Sequence, residues 1–278
     1  MTTIGLLHPG EMGSSVGAAG RAGGALVLWA SEGRSASTRA RATADGLEDG
    51  GTLAGLVAAS QVILSVCPPE SAVDVARAVS GLGFSGLYVD ANAVSPTTAR
   101  EIGAIVEKIG ATYVDGGIIG PPARSKGATR LYLSGQAAPR VAALFQGSPL
   151  DAVVVAGGPG AASAVKMAYA SWTKGSSALL LAVRALAAAE GVEAALLAEW
   201  AISQRDLPGR SENAAKGNAP KAWRFVGEME EIAATYANVG LPDGFHRAAA
   251  EVYRRMAGYK DAPTPSIEEV ARTLLKDR

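Results

Sequence analysis

Cysteine is almost missing from this sequence. Cys67 stands alone among 278 residues, so no internal disulfide can form and a reducing compartment is the simplest setting. Histidine is nearly as scarce. His8 and His246 are the only two, they lie far apart, and they offer no metal-ligand spacing, so no metal site is expected. An excess of either charge is missing as well: 26 Lys and Arg balance 26 Asp and Glu. That balance argues against a broadly basic surface and against nucleic acid as a partner. There is no long uncharged apolar run. The most apolar helical stretch, Ser177 to Ala189, is interrupted by Arg184 and is too short to span a bilayer. The N-terminus lacks a basic segment followed by an apolar core, so no signal peptide is read there. A cytoplasmic protein without membrane or nucleic-acid partners is the expectation. Aromatics make up only 5% while glycine reaches 34 residues, a composition suited to close helix–sheet and helix–helix packing.

What is present begins at the first strand. Ile4-Gly5-Leu6-Leu7 is an apolar run, His8-Pro9-Gly10-Glu11 a turn, and Met12 to Ala22 a small-residue stretch at helical spacing. Strand, tight turn and helix in that order read as the opening of a dinucleotide-binding unit. Backbone N–H groups at a helix start attract a pyrophosphate, and glycine lets the backbone come close. Gly10 and Gly13 occupy the second and third glycine positions of G-x-G-x-x-G, but His8 stands at the first. A plain strand–turn–helix fits this stretch too, and the rest of the chain has to decide.

The following pattern is an alternation of strands and helices. Strands are expected at Ala25–Trp29, Gln61–Val66, Gly86–Val89, Ala111–Val114, Arg130–Leu133 and Ala152–Val155. Helices are expected between them, one running from Ser37 to Ala59 and another beginning at Ser95-Pro96, with Ser95 as N-cap. This is the α/β, doubly wound Rossmann-type pattern, whose ligands sit beyond the carboxyl ends of the strands. The second strand ends Ala30-Ser31-Glu32-Gly33-Arg34-Ser35. Ser31, Arg34 and Ser35 suit the 2′-phosphate of NADP; Glu32 is a contrary note, and NAD stays open. Cofactor contacts are expected from His8, Pro9, Gly10, Glu11 and Met12 in the turn, from Ser31, Arg34 and Ser35, and from Cys67, Pro68 and Asn92 at later strand ends. Cys67 has no histidine near it in sequence and reads as a small packing residue.

From Gly160 to Glu190 the spacing is helical with no proline, about 45 Å of helix at 1.5 Å per residue. Helical patterns follow at Glu193–Gln204, Pro220–Val239, Pro242–Ala257 and Ser266–Lys276, with a polar link at Asp206–Asn218. The expected architecture is a dinucleotide-binding domain over 1–158 and an all-α domain over 159–278, opened by a long helix. Such a helix has to bury its length, which points to a homodimer through the helical domain. Lys166 lies near the start of this helix amid Ala161, Ala162, Ala164 and Val165. A lysine in such surroundings loses hydration, which lowers its pKa and suits proton transfer. Tyr169 and Thr173 follow at i+3 and i+7 on its face. The competing reading is a surface lysine with its amine in water.

Four blocks, in order, carry a resemblance to the β-hydroxyacid dehydrogenases, the relatives of 3-hydroxyisobutyrate and 6-phosphogluconate dehydrogenases. They are Ile4–Gly13, Tyr88–Pro96, Tyr113–Pro122 and Gly157–Ala170. The resemblance implies a Rossmann domain, a dimerising helical domain, and NAD(P)-dependent interconversion of a hydroxy acid and its carbonyl partner. It implies Lys166 as the proton shuttle. The sequence also departs from the family. Ile119 replaces the substrate-loop serine, Pro121 the second of its paired glycines, and Ala170 the asparagine four residues after the lysine. Gly227-Glu228-Met229 stands where Lys-Asp-Leu is common. The proton-transfer centre looks kept and the substrate pocket rebuilt, resembling a branch with its own C-terminal domain.

The leading expectation is therefore an oxidoreductase acting on a small polar substrate. Asn92, Ile119, Gly120, Tyr169 and Thr173 are the expected pocket residues, with Trp223 or Arg224 from the helical domain. Imine reduction on the same architecture, with Tyr169 as proton donor, is the second enzymatic reading. A non-catalytic dinucleotide-binding protein is the third.

Overall fold

The computed structural model describes residues 1–275. The chain forms two compact units, Met1–Met167 and Ala168–Arg278. They part inside the long helix, so its first turns, Lys166 included, belong with the sheet.

The first unit runs β1 (Thr3–Leu6), α1 (Glu11–Ala22), β2 (Leu26–Trp29), α2 (Ala36–Ala44), β3 (Glu48–Asp49), α3 (Leu53–Ala59), β4 (Val62–Ser65), α4 (Ala72–Gly81), β5 (Leu87–Asp90), α5 (Pro96–Glu107), β6 (Thr112–Ile119), β7 (Thr129–Ser134), α6 (Ala138–Ala143) and β8 (Leu150–Val154), and ends in α7 (Ala161–Ala189). The eight strands lie in the order β3-β2-β1-β4-β5-β6-β7-β8. Every neighbouring pair is parallel except β6 with β7. Alternate strand residues feed two cores: Ile4, Leu6, Leu64, Val89 and Val114 on one face, Ile63, Tyr88 and Tyr113 on the other. A sheet with apolar residues on both faces needs helices on both. The strand order reverses between β1 and β4, which places the ligand crevice of this sheet class beyond their carboxyl ends.

Two expectations need correction here. The single helix from Ser37 to Ala59 is two helices with the short edge strand β3 between them. Gly46 and Gly51 take φ of 67° and 72°, values open to glycine, and Thr52 restarts the helix by accepting from the Gly55 N–H at 3.1 Å. The strand at Ala111–Val114 continues through Gly116 and Gly117 to Ile119. Its partner β7 runs antiparallel, pairing Asp115 with Ser134 and Ile119 with Arg130, so the loop begins only at Gly120, where φ is 125°. Ser95 caps α5 as expected, accepting from the Thr98 N–H at 3.1 Å.

The second unit holds the rest of α7, then α8 (Glu193–Ser203), α9 (Leu207–Asn218), α10 (Ala222–Asn238), α11 (Gly244–Arg255) and α12 (Ile267–Leu275). The expected end of the last helix at Lys276 lies outside the described residues. The polar link is in fact α9: Pro208 occupies its first turn, where the missing N–H costs nothing, and Ser211, Ala214 and Ala215 supply its buried face. Arg184, which interrupts the apolar run, is buried. It donates from Nε and Nη2 to Glu193 at 3.0 and 2.7 Å and from Nη1 to Ser211 at 2.6 Å, joining α7 to α8 and α9. Phe225 and Tyr253 meet edge to face at 5.3 Å between α10 and α11. Among the described residues no helix is long and apolar enough to cross a membrane.

Candidate functional site

The turn after β1 is built by its two glycines in different ways. Gly10 is the N-cap of α1, extended at φ −66° and ψ −172°, and no side chain caps the helix. A Cβ added at Gly10 would meet nothing within 4 Å, so the space in front of the turn is open. A Cβ at Gly13 would collide with the His8 carbonyl oxygen, so only glycine lets the helix lie this close to the strand end. The result is an electropositive helix terminus without a side-chain acceptor among the described residues.

Beside it, the end of β2 gathers arginines. Arg34 Nη2 donates to the Leu7 carbonyl at 3.3 Å, Arg39 Nη2 to the Ser31 carbonyl at 2.7 Å, and Arg41 Nη1 to the Pro9 carbonyl at 3.1 Å. Ser35 caps α2 by accepting from the Thr38 N–H at 3.3 Å, and the contrary Glu32 is exposed. A cavity of about 150 Å³ opens here, lined by Leu7, His8, Ala30, Glu32, Arg34, Leu53, Val75 and Ala78, so the contrary Glu32 shares it with Arg34. His8 Nδ1 and Arg34 Nε are buried and have no partner. Buried donors and acceptors left unmade are costly and call for an account. A cavity with unmet polar atoms in its lining, next to an open helix terminus, fits one end of a dinucleotide. Arg39 and Arg41 were not foreseen from the sequence, although both fall within two turns after the Ser35 cap.

Burial, and then the positive Arg34, hold the His8 pKa down to about 4 from 6.5. The imidazole is therefore neutral in the folded protein at ordinary pH. Between pH 6.5 and 4 the unfolded chain takes up a proton that the folded one refuses, so stability falls as pH drops through that window. The shift corresponds to about 3 kcal/mol. Urea denaturation at pH 7 and pH 4.5 should show most of that loss in the wild type and little of the His8 share in His8→Gln.

At the ends of β4 and β5, Asn92 is a buried clamp. It accepts from the Cys67 N–H at 2.6 Å and donates to Ser65 Oγ at 3.0 Å and to Asp90. Burial and the neighbouring Asp90 push the Cys67 thiol up to about 12, which leaves it protonated and supports its packing role over a nucleophilic one. Pro68 is exposed next to it.

Lys166 is seated on β6. The fully buried Asp115 lies under the amino end of α7: its Oδ2 accepts from the Gly160 and Ser163 N–H groups, each at 3.0 Å, and from Ser134 Oγ at 2.9 Å. Its Oδ1 accepts from Ser163 Oγ at 2.6 Å, and Ser134 Oγ accepts in turn from the Ala162 N–H at 3.1 Å. Two residues further along β6, a Cβ at Gly117 would come within 2.9 Å of both the Lys166 Cβ and the Ala162 carbonyl oxygen. Sequence reasoning missed Asp115, Gly117, Ser134 and Ser163; an Asp-Gly-Gly inside a strand and a serine in the first helical turn were the available signals. Ile119 is buried at the end of the same strand and Gly120 starts the exposed loop.

The remaining expected residues stand elsewhere. Tyr169 is half exposed on α7, and Thr173 donates its hydroxyl to the Tyr169 carbonyl at 3.2 Å. On α10, Trp223 carries the Lys260 amine 4.5 Å above its ring, and the Arg224 guanidinium lies 5.9 Å from the Phe225 ring. Lys174 is paired with Glu228.

A family model described as a domain of unknown function, DUF1932, matches residues 187–256. An uncharacterized 28.5 kDa protein from the 7S RNA 5′ region of Methanothermus fervidus is 34% identical over 157 residues, which is 56% of this chain and 59% of that protein. The match thus spans less than two thirds of that relative. Among solved structures, the conserved protein MTH1747, of unknown function and described as similar to 3-hydroxyacid dehydrogenases, is 29% identical, with a TM-score of 0.65 over 91% of this chain and 98% of its own. The 3-hydroxyisobutyrate dehydrogenase of Mycobacterium tuberculosis, solved with L-serine, is 20% identical, with a TM-score of 0.73 over 99% of both chains. The fold is that of the 3-hydroxyacid dehydrogenases. An imine reductase from Bacillus cereus also has this architecture, at 17% identity and a TM-score of 0.55 over 100% of both chains.

Proposed function

We propose that this protein is an NADP(H)-dependent oxidoreductase that interconverts an alcohol and a carbonyl group in a small polar substrate, with Lys166 as general acid and base. The observation that carries the reading is the coincidence of an uncapped, glycine-shaped helix terminus at the strand-order reversal with a lysine fixed against β6 of the same sheet. The dinucleotide would supply the hydride acceptor or donor. Gly10, Glu11 and Met12 would present main-chain N–H groups to its pyrophosphate, with Pro9 shaping the turn and His8 in the lining of the cavity. Ser31, Arg34 and Ser35 would face the 2′-phosphate that separates NADP from NAD. Asn92 holds the Cys67–Pro68 loop in place. Lys166 takes the hydroxyl proton in one direction and returns it to the carbonyl oxygen in the other, and Tyr169 and Thr173 follow it on the same helix. Activity with NADPH or NADP across hydroxy acids, their oxo partners and cyclic imines tests the reading. Turnover of the imines alone would replace it with imine reduction, a reading favoured by the half-exposed Tyr169 on the lysine helix. Tight NADPH binding with no turnover in any class would point to a sensor.

Cofactor preference has its own test. Loss of one charged hydrogen-bonding group is worth about 1.5–3 kcal/mol, or roughly 10- to 150-fold in affinity. Arg34→Ala should weaken NADPH binding by that factor and NADH binding by less than about threefold, as read by fluorescence titration.

The assembly is a homodimer through the helical unit. Trp172, Leu179 and Leu186 follow one another at seven-residue spacing on α7 and are 69%, 50% and 60% exposed. Seven residues is close to two helical turns, so the three form one apolar stripe. A second copy of the same stripe across a two-fold axis covers it without any other partner. Sedimentation at micromolar concentration should show a dimer for the wild type and a monomer for Trp172→Glu.

A further inference from the structure

Asp115 has an environment unlike that of an ordinary cap. Its carboxyl group is completely buried and accepts four hydrogen bonds. Its oxygens accept from the Gly160 and Ser163 amides and from two serine hydroxyls, at the positive end of the α7 dipole. Burying a carboxyl group is costly, and a solvent-facing serine or threonine could cap a helix at far smaller cost. What the buried carboxylate adds is fixity. Its two oxygens hold α7 at Gly160 and at Ser163, and Ser134 relays a third hold to the Ala162 amide. A helix held at three successive points of its first turn is set in rotation as well as height.

Gly117 stands two residues along β6 and therefore on the same face of the strand. The absence of its side chain lets the Ala162–Lys166 turn lie directly on the sheet, with a Cβ there only 2.9 Å from the Lys166 Cβ. The cap and the gap act on one helix from one strand face, and Lys166 is one turn beyond Ser163. Gly116, between them, points the other way: a Cβ there would come within 2.8 Å of the Asp90 carbonyl oxygen, toward β5.

We infer that Asp115 and Gly117 form a two-point mount that places the Lys166 amine, Asp115 as a positioning residue and Gly117 as the spacer that sets the helix-to-sheet distance. The functional meaning of this mount rests on the proton-transfer role proposed for Lys166; the mechanical claim does not. The test is competitive trace acetylation of the whole protein without cofactor, with the Lys166 rate read by peptide mass spectrometry against the exposed Lys126. Asp115→Asn and Gly117→Ala should change the Lys166-to-Lys126 rate ratio at least fivefold, with Asp115→Asn showing the smaller change because it keeps one acceptor oxygen. Gly116→Ala should lower thermal stability yet leave the ratio within twofold of wild type. Folding of each variant is checked by circular dichroism, and Ser134→Ala, which removes one hold without removing the charge, stands in if Asp115→Asn does not fold. A wild-type ratio in folded Gly117→Ala and in the Asp115 or Ser134 variant overturns the mount. An equal change in Gly116→Ala also overturns it, because general loosening would then suffice. Protection of Lys166 by NADPH in the wild type is measured alongside. If NADPH binds and Lys166 is not protected, the proposed chemistry fails while the rate ratios still decide the mount.

Discussion

Lys166→Ala is expected to lower turnover by about 10²- to 10⁴-fold, the usual contribution of a positioned acid–base group, with NADPH affinity within about twofold of wild type. The separation follows from where the residues lie. The expected dinucleotide contacts come from the ends of β1 and β2 and, with Cys67, Pro68 and Asn92, from the ends of β4 and β5, whereas Lys166 is on α7 above β6. Turnover is measured on whichever substrate class responds, and affinity by fluorescence titration. Lys166→Arg sharpens the result. It keeps the positive charge but cannot give up a proton near neutral pH, so it should be as inactive as the alanine variant if proton transfer is the role. Recovery in the arginine variant would assign Lys166 an electrostatic role instead. Normal turnover in Lys166→Ala would remove it from the reaction and make Tyr169 the next candidate.

The second large effect is on stability. Asp115→Ala leaves the buried Gly160 and Ser163 amides and two buried serine hydroxyls without their acceptor. Unmade buried hydrogen bonds cost about 1–3 kcal/mol each. Some of these groups will find other partners, so a total loss of about 4 kcal/mol is expected, at the upper end for single substitutions. For a unit of this size that is on the order of 10 °C in melting temperature, measurable by calorimetry. Ser134→Ala, which removes one bond to the carboxylate and the acceptor for the Ala162 amide, should lose roughly half as much. A loss below about 1 kcal/mol in Asp115→Ala would show that water or a rearranged serine replaces the carboxylate.

Much of the fold could be read from the sequence because local chemistry and tertiary packing agree. The apolar runs at Ile4–Leu7 and Gln61–Val66 become neighbouring strands, and Ser95 caps the helix that Pro96 begins. The readings that missed did so where the two levels diverge. Ser37–Ala59 carries helical spacing throughout, but Gly46 and Gly51 turn the backbone and β2 offers an edge that recruits Glu48 and Asp49. Gly116 and Gly117 look like a turn in isolation, and it is pairing with β7, far along the chain, that makes them strand. Asp206–Asn218 looks like a link because its polar residues face outward, while its buried face is made of small residues. For the site, the turn at Gly10–Gly13 and the lysine helix were legible as motifs. The Asp115 network was not, since a buried carboxylate is defined by the groups around it, and those come from β7 and α7.

The two sides of the candidate nucleotide site are written in different media. At Gly13 the main chain itself forms the contact surface, and no side chain is tolerated against the His8 carbonyl. At the end of β2 the surface is made by side chains: Arg34, Arg39 and Arg41 reach back to the carbonyls of Leu7, Ser31 and Pro9. The first is rigid to substitution, and the second is open to it. Under the reading proposed above, discrimination between the two dinucleotides would rest on side chains of the β2–α2 segment, and any exchange of that segment would have to keep the Arg34 and Arg41 bonds that tie it to the turn.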